Sequence, residues 1–259
     1  MNILIFDSHA HYDHSDFDND RDELLQKFTE SAIEIINVGT DIESSLKSIK
    51  LSEKYKYIHA SIGVHPNSIY NLEKNYLKIL KELIINDKVV AIGEIGLDYS
   101  NSKDKEIQTK VFIDQILLAK EVGLPVIIHC REAYHDMLEI LKKYRPIGLL
   151  HCFSGDKEFA KEILSLNLKI GIGGILTFKN SFALGEVVKN VPMENILLET
   201  DAPYLAPVPF RGKRCDSSHI EYTVKKISDI KNIKESLIFD IVKNNSYELF
   251  RLDIEHSKY

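Results

Sequence analysis

No apolar stretch in this 259-residue chain approaches the roughly 20 residues that a membrane helix needs. The N-terminus passes straight into a strand-like run, MNILIF, without the basic segment and cleavage site of a secretory leader, so a cytoplasmic protein with no membrane partner is expected. Cysteine is scarce. Cys130, Cys152 and Cys215 are an odd set without CxxC spacing, which argues against a disulfide framework or a zinc ribbon. Basic residues do not prevail either: 33 Lys and Arg against 39 Asp and Glu leave a net charge of −6. That excludes coating duplex DNA through an overall basic surface, so any nucleic-acid contact must be local. No linker, repeat or low-complexity tract divides the chain, no obligate protein partner is evident, and one domain over 1–259 is expected. Hydrophobic residues at 44% and charged residues at 28% suit a soluble protein with a substantial core.

Strand-like and helix-like runs alternate throughout. Strands are expected near 2–7, 32–38, 57–63, 89–93, 125–129, 147–151, 168–172 and 195–199. Between them, stretches such as QTKVFIDQILLAKEVG at 108–123 and DKEFAKEILSLN at 156–167 carry apolar residues at helical spacing. Asp156 is placed to cap one of these helices, and Gly123 followed by Pro125 to end another. Eight strands alternating with helices predict an α/β chain folded as a (β/α)8 TIM barrel. A doubly wound open sheet is the runner-up. It explains less, because its ligands gather at one switch point.

Six metal-capable side chains stand at the ends of these runs. They are His9 and His11 after ILIFDS, Glu94 after VVAIG, His129 after PVII, His151 after IGLL, and Asp201 after NILLET. In such barrels, catalytic groups come from the C-terminal ends of strands, so the six describe one rim. His9 and His11, two apart on an extended segment, point to one side and can reach one ion. A carboxylate can bridge two ions, and Gly93 and Gly96 beside Glu94 permit close backbone approach. The expected arrangement is one ion on His9, His11, Glu94 and Asp201 and a second on Glu94, His129 and His151, with the ions about 3.5–4 Å apart. Buried charge without a partner is costly, which favours metal over six separate structural roles. The donor set accepts Mg, Mn or Zn, and Fe or Ni as well.

Other residues keep several readings open. Asp7 either orients the two histidines as a second carboxylate or accepts N–H groups that shape the turn. His65 in IGVHP contacts phosphate or substrate, ligates metal, or packs a turn, in that order. His14 is near the cluster only in sequence, His59 begins a strand, and His135, His219 and His256 are assigned to the surface or to helices. If Cys130 and Cys152 are still extended, each points away from its neighbouring histidine, toward the helices.

The series DSHAH at 7–11, GVHP at 63–66, GEIGLDY at 93–99, HCREA at 129–133, HCFSG at 151–155, GGILTF at 173–178, LETDAPYLAP at 198–207 and PFRGKR at 209–214 resembles the TatD family of metal-dependent deoxyribonucleases, with further likeness at NNSYELF. The resemblance implies an amidohydrolase-like TIM barrel that hydrolyses DNA phosphodiesters with divalent metal, typically from an end. It also carries metal-ligand roles onto His9, His11, Glu94, His129, His151 and Asp201. The family usually follows PxRGKR with Asn-Glu-Pro, where this chain has Cys215, Asp216 and Ser217.

The expected mechanism is in-line attack of activated water, with Asp201 taking the proton and Glu94 bridging the ions. Arg131 and Arg211 are expected to contact phosphate, with Lys213 and Arg214 adding positive charge, against the alternative of a solvated basic loop. Tyr99, Phe153, Tyr204 and Phe210 either stack on bases or pack helices to the barrel. The acidic protein with a small basic rim suits single-stranded or frayed DNA ends. Two alternatives are a metal-dependent ester or amide hydrolase, such as a D-aminoacyl-tRNA deacylase, and a non-catalytic scaffold with a relic metal site; retention of all six ligands speaks against the scaffold.

Overall fold

The computed structural model describes residues 5–100 and 104–252, so the expected strand residues 2–4 and His256 lie outside it. Among the described residues, eight parallel strands form one sheet in chain order: β1 (Ile5–Ala10), β2 (Ile33–Val38), β3 (Ile58–Ile62), β4 (Val89–Asp98), β5 (Val126–Arg131), β6 (Gly148–Leu150), β7 (Leu168–Ile172) and β8 (Ile196–Leu198). The intervening helices are α1 (Arg21–Glu30), α2 (Ile42–Lys54), α3 (Tyr76–Leu83), α4 (Lys105–Val122), α5 (Tyr134–Tyr144), α6 (Lys157–Ser165) and α7 (Phe182–Asn190), with α8 (Ile220–Lys231) and α9 (Glu235–Phe250) completing the chain. Closure comes from a parallel bridge between Ala10 and Ala202. Two backbone bonds support it, Asp201 N–H to the His9 carbonyl at 2.9 Å and His11 N–H to the Ala202 carbonyl at 2.8 Å. A barrel closed in strand order replaces the open-sheet alternative.

Helix punctuation follows local chemistry. The Asp156 side chain accepts from Phe159 N–H at 2.9 Å, which satisfies one of the unpaired donors at the start of α6. Gly123 ends α4 at φ 74°, the left-handed conformation glycine adopts without steric cost. No helix among the described residues is long and apolar enough to cross a membrane.

Inside the barrel, Phe6, Ile36, Val38, Val90, Ala91, Ile127, Leu149 and Leu197 form a buried core. Tyr247, Leu249 and Phe250 of α9 close it from the N-terminal end. A larger core joins the outer strand faces to the helices. Below the rim the barrel is packed with these apolar side chains, and the candidate ligands converge above it.

His59 lies at the closed end, level with Ile36. Its Nε2 is buried with no hydrogen-bond partner, and burial followed by nearby Lys88 pushes its pKa down to about 4. The unfolded chain binds this proton near pH 6.5 and the native chain refuses it. Its contribution is therefore full above pH 6.5 and lost as pH falls toward 4. Urea unfolding at pH 7 and pH 4.5 is expected to show His59→Gln losing on the order of 2 kcal/mol less than wild type over that interval. Identical pH slopes would refute the assignment.

Candidate metal centre

Two of the eight strands carry an irregularity where a proposed ligand sits. On β1, the four residues from Asp7 to Ala10 face the three from Ile35 to Asn37 on β2, and His9 lies inside that slip. On β4, the four residues from Ile92 to Ile95 face the three from Val126 to Ile128 on β5, and Glu94 lies inside that one. Such bulges bend a strand and re-aim a side chain. Both strands also run beyond their expected ends, β4 by five residues. Gly96 is required on β4: at φ +148° a side chain would be strained, and a Cβ there would collide with the His129 carbonyl oxygen.

The re-aimed groups meet. His9 Nε2 and His11 Nε2 are 3.1 Å apart; Glu94 Oε2 lies 3.5 and 3.6 Å from them, and Asp201 Oδ1 lies 3.8 and 3.4 Å from them. The other oxygen of the same carboxylate, Glu94 Oε1, lies 3.0 Å from His129 Nδ1, 2.9 Å from His151 Nε2 and 3.4 Å from His65 Nε2. One buried carboxylate, 4% exposed, therefore divides its two oxygens between two sets of imidazoles. Among the described residues, neither Glu94 nor Asp201 has a Lys or Arg partner. Metal bonds of about 2.0–2.2 Å place adjacent tetrahedral ligand atoms roughly 3.3–3.5 Å apart, close to these separations. The donor set fits divalent metal.

Ring orientation separates the histidines further. His11 Nδ1 lies 2.7 Å from the Val38 carbonyl, which only accepts, so Nδ1 carries a proton and Nε2 is the atom left to ligate a metal in exchange for its own proton. His129 Nε2 lies 3.3 Å from Asp98 Oδ2, which likewise leaves Nδ1 free to ligate toward Glu94. His9 and His151 stack with centroids 3.9 Å apart, and the Nδ1 of each is buried without a hydrogen-bond partner.

Electrostatics reflect this crowding. Burial alone would raise Glu94, but the imidazoles of His65, His151 and His129 hold it well below the usual carboxylate range. Burial likewise opposes the ionised form of Asp201, and the hydrogen bond with His11, backed by charge from His9 and His151, keeps it low. Burial pushes His9 down to about 3, helped by His151. His11 and His129 overcome burial through their carboxylates and rise to about 9.

Residues of lesser standing in the sequence sort clearly. Asp7 serves the turn: Oδ1 accepts from His9 N–H at 3.2 Å and Thr200 N–H at 3.0 Å, and Oδ2 accepts from the Thr200 and Ser217 hydroxyls at 2.6 Å each. Ser217, in the stretch that departs from the family pattern, thus ties the last loop beneath the ligand strand, and Asp216 caps the short turn that holds it. His14 is a correction, because it lines the same cavity as the ligands. Cys130 remains in β5 and packs against the outer core, whereas Cys152 does not face the helices as expected. β6 ends at Leu150, and Cys152 turns at φ 46° to border the cavity. Neither belongs to a candidate ligand group.

Of the expected phosphate contacts, Arg131 and His65 line the cavity of about 830 Å³, and Arg211 does not. Arg211 lies over the Phe178 ring at 4.0 Å. Arg214 forks onto Asp20 and stacks on Phe17, so it is a structural clamp and not rim charge. Phe153 is buried against Phe159, Tyr99 bonds Asp136, and Phe210 packs on His219; only Tyr204, 48% exposed, faces the cavity.

Two carboxylates were not singled out from sequence. Asp98 orients His129 and is itself held low: burial opposes this, while the bonds from His129 and Ser100 outweigh it. Glu199 is buried beside His151 Nδ1 at 3.8 Å and accepts from Cys152 N–H; burial, then Asp201, pushes it well above the usual range. Both lie inside the quoted motifs, and for Asp98, at the true end of β4, strand length was the missing signal.

A family model described as TatD related DNase matches residues 6–251. The chain is 40% identical to the metal-dependent hydrolase YabD of Bacillus subtilis (strain 168), over 96% of its own length and all of the relative. Among solved structures it is similar to YjjV, a TatD homologue from Escherichia coli K12, with TM-score 0.91, 29% identity and coverage of 98% and 100% of the two chains. It is also similar to a TatD family hydrolase from Entamoeba histolytica, with TM-score 0.87, 28% identity and coverage of 96% and 98%.

Proposed function

The chain belongs to the TatD related DNase family, as a metal-dependent hydrolase, and from that premise we propose that it cleaves DNA phosphodiesters from a single-stranded or frayed end using two divalent ions. The observation that carries the reading is the division of Glu94, with Oε2 on His9 and His11 and Oε1 on His129 and His151. Asp201 completes the first set. When bound, the ions supply Lewis acidity that lowers the pKa of water and stabilises charge on phosphoryl oxygens.

The remaining work falls to the chain. Asp201 is held ionised at the cavity wall, and the carboxylate oxygen not turned to His9 and His11 takes the proton of the attacking water. Asp98 holds the His129 ring in the orientation that presents Nδ1. Among the described residues lining the cavity, Arg131 stands as the one Lys or Arg, which suits a terminal phosphate better than an extended duplex. Three free cysteines accord with a reducing, cytoplasmic setting.

End-labelled single- and double-stranded oligonucleotides incubated with Mg2+, Mn2+ or Zn2+ test this. Metal-dependent shortening of the single strand from one end is expected. Hydrolysis of a D-aminoacyl-tRNA or a simple ester, with DNA left intact under every metal, would redirect the function to acyl chemistry.

A further inference from the structure

His14 and His65 occupy matching positions that the ligand set does not use. Each follows a barrel strand, β1 or β3, and each begins a short 3-10 turn, Ser15–Phe17 or Pro66–Asn71. Their backbones coincide, at φ −65° and ψ 144° for His14 and φ −64° and ψ 147° for His65. In both, ring Nδ1 accepts the backbone N–H two residues on, from Asp16 at 3.2 Å and from Asn67 at 3.0 Å. Both rings line the cavity that holds Glu94 and Asp201.

An atom that accepts a hydrogen bond from a backbone N–H carries no proton of its own. The proton of each neutral ring therefore sits on Nε2, on the far side from the turn. Asp16 Oδ1 also approaches His14 Nδ1, at 3.5 Å, but the backbone donor is closer and sets the tautomer. His65 Nε2 lies 3.4 Å from Glu94 Oε1 and its ring meets His129 edge-on at 4.5 Å, so a cluster of His65, Glu94 and His129 reads as a third ligand group by distance. Proton placement contradicts that grouping. His11 donates its Nδ1–H to the Val38 carbonyl and His129 its Nε2–H to Asp98, which turns the other ring nitrogen toward the ligand cluster, whereas His65 turns an N–H toward it.

We propose that His14 and His65 are a pair of fixed Nε2–H donors that grip anionic oxygens of the substrate, and that neither ligates metal. His65 stands at the reacting centre beside Glu94 and takes an oxygen of the phosphate being cleaved. His14 stands with exposed Tyr204, centroids 5.6 Å apart, and takes the neighbouring phosphate while Tyr204 offers a face to a base. This rests on the reading of the cavity as a metal-assisted site for phosphate esters. It adds which residues hold the substrate and why they stay out of the metal set.

The test measures Mn2+ binding, then binding of inorganic phosphate and of the oligonucleotide dT4 to the Mn2+-loaded protein, in wild type, His65→Ala, His65→Gln and His14→Ala. Unchanged Mn2+ stoichiometry is expected throughout, with Mn2+ affinity within about threefold of wild type. Phosphate binding is expected to weaken about 10- to 100-fold in His65→Ala and to recover in part in His65→Gln, whose amide both accepts and donates. His14→Ala is expected to weaken dT4 about fivefold and to leave phosphate unaffected. Loss of one Mn2+ in His65→Ala, or wild-type affinities for both anions in the alanine variants, would overturn the proposal. These titrations need no turnover. A wild type that binds phosphate through His65 but cleaves no DNA sinks the nuclease reading and leaves the donor pair standing.

Discussion

Replacing Glu94 by alanine is expected to lower metal-dependent hydrolysis at least about a thousandfold while the barrel stays folded. The size of the effect follows from geometry, because among the described residues Glu94 is the carboxylate whose two oxygens face both imidazole sets. Removing it takes the facing carboxylate oxygen from His9 and His11 and, at the same time, from His129 and His151. The fold does not depend on this carboxylate. Its strand is held by the ladders to β3 and β5 and by the Ser61 hydroxyl, which donates to the Gly93 carbonyl at 2.8 Å. Circular dichroism and urea unfolding should match wild type closely while the rate on a labelled oligonucleotide collapses. A rate within tenfold of wild type would remove Glu94 from the centre.

Asp201→Asn is expected to act differently, lowering kcat by about 10² to 10⁴ with the metal retained and KM nearly unchanged. Asparagine keeps the shape and one coordinating oxygen but cannot take a proton. It also tolerates the left-handed backbone found at Asp201, φ 59°, so the loop that closes the barrel is not strained. His9, His11 and Glu94 remain to hold the first ion. Steady-state kinetics alongside metal analysis of the same preparation separate the two roles. A kcat within fivefold of wild type would move the proton acceptor elsewhere, and loss of metal in parallel with kcat would make Asp201 chiefly a ligand.

The rim was legible because a barrel strand is an apolar run that stops where it reaches solvent. A histidine or carboxylate at each stop is visible without coordinates, and chain order alone places Asp201 beside His9 once β8 meets β1. Register was harder to see. The slips on β1 and β4 depend on how neighbouring strands pair, which no local pattern encodes, and they decide where His9 and Glu94 point. Ending β4 at residue 93 hid Asp98, which stands at its last position and holds His129.

Long-range partners were hidden for a related reason. Arg214 reads as free basic charge until Asp20, 194 residues away, is seen to clamp it. Arg211 reads as a phosphate contact, and the Phe178 ring beneath its guanidinium has no mark in the local sequence. Cys152 follows the alternation of a strand only if the strand continues, and its backbone has already turned. The departure at Cys215, Asp216 and Ser217 looked like a loop matter and proved to reach Asp7 under the ligand strand.

The number of Mn2+ ions bound per chain, counted by titration and examined by electron paramagnetic resonance, tests the Glu94-bridged pair most directly. Two ions with coupled spins in wild type, falling to one or none in Glu94→Ala, are expected from a carboxylate whose oxygens face separate imidazole sets. A single uncoupled ion in wild type, unchanged when Glu94 is removed, would contradict the two-metal centre.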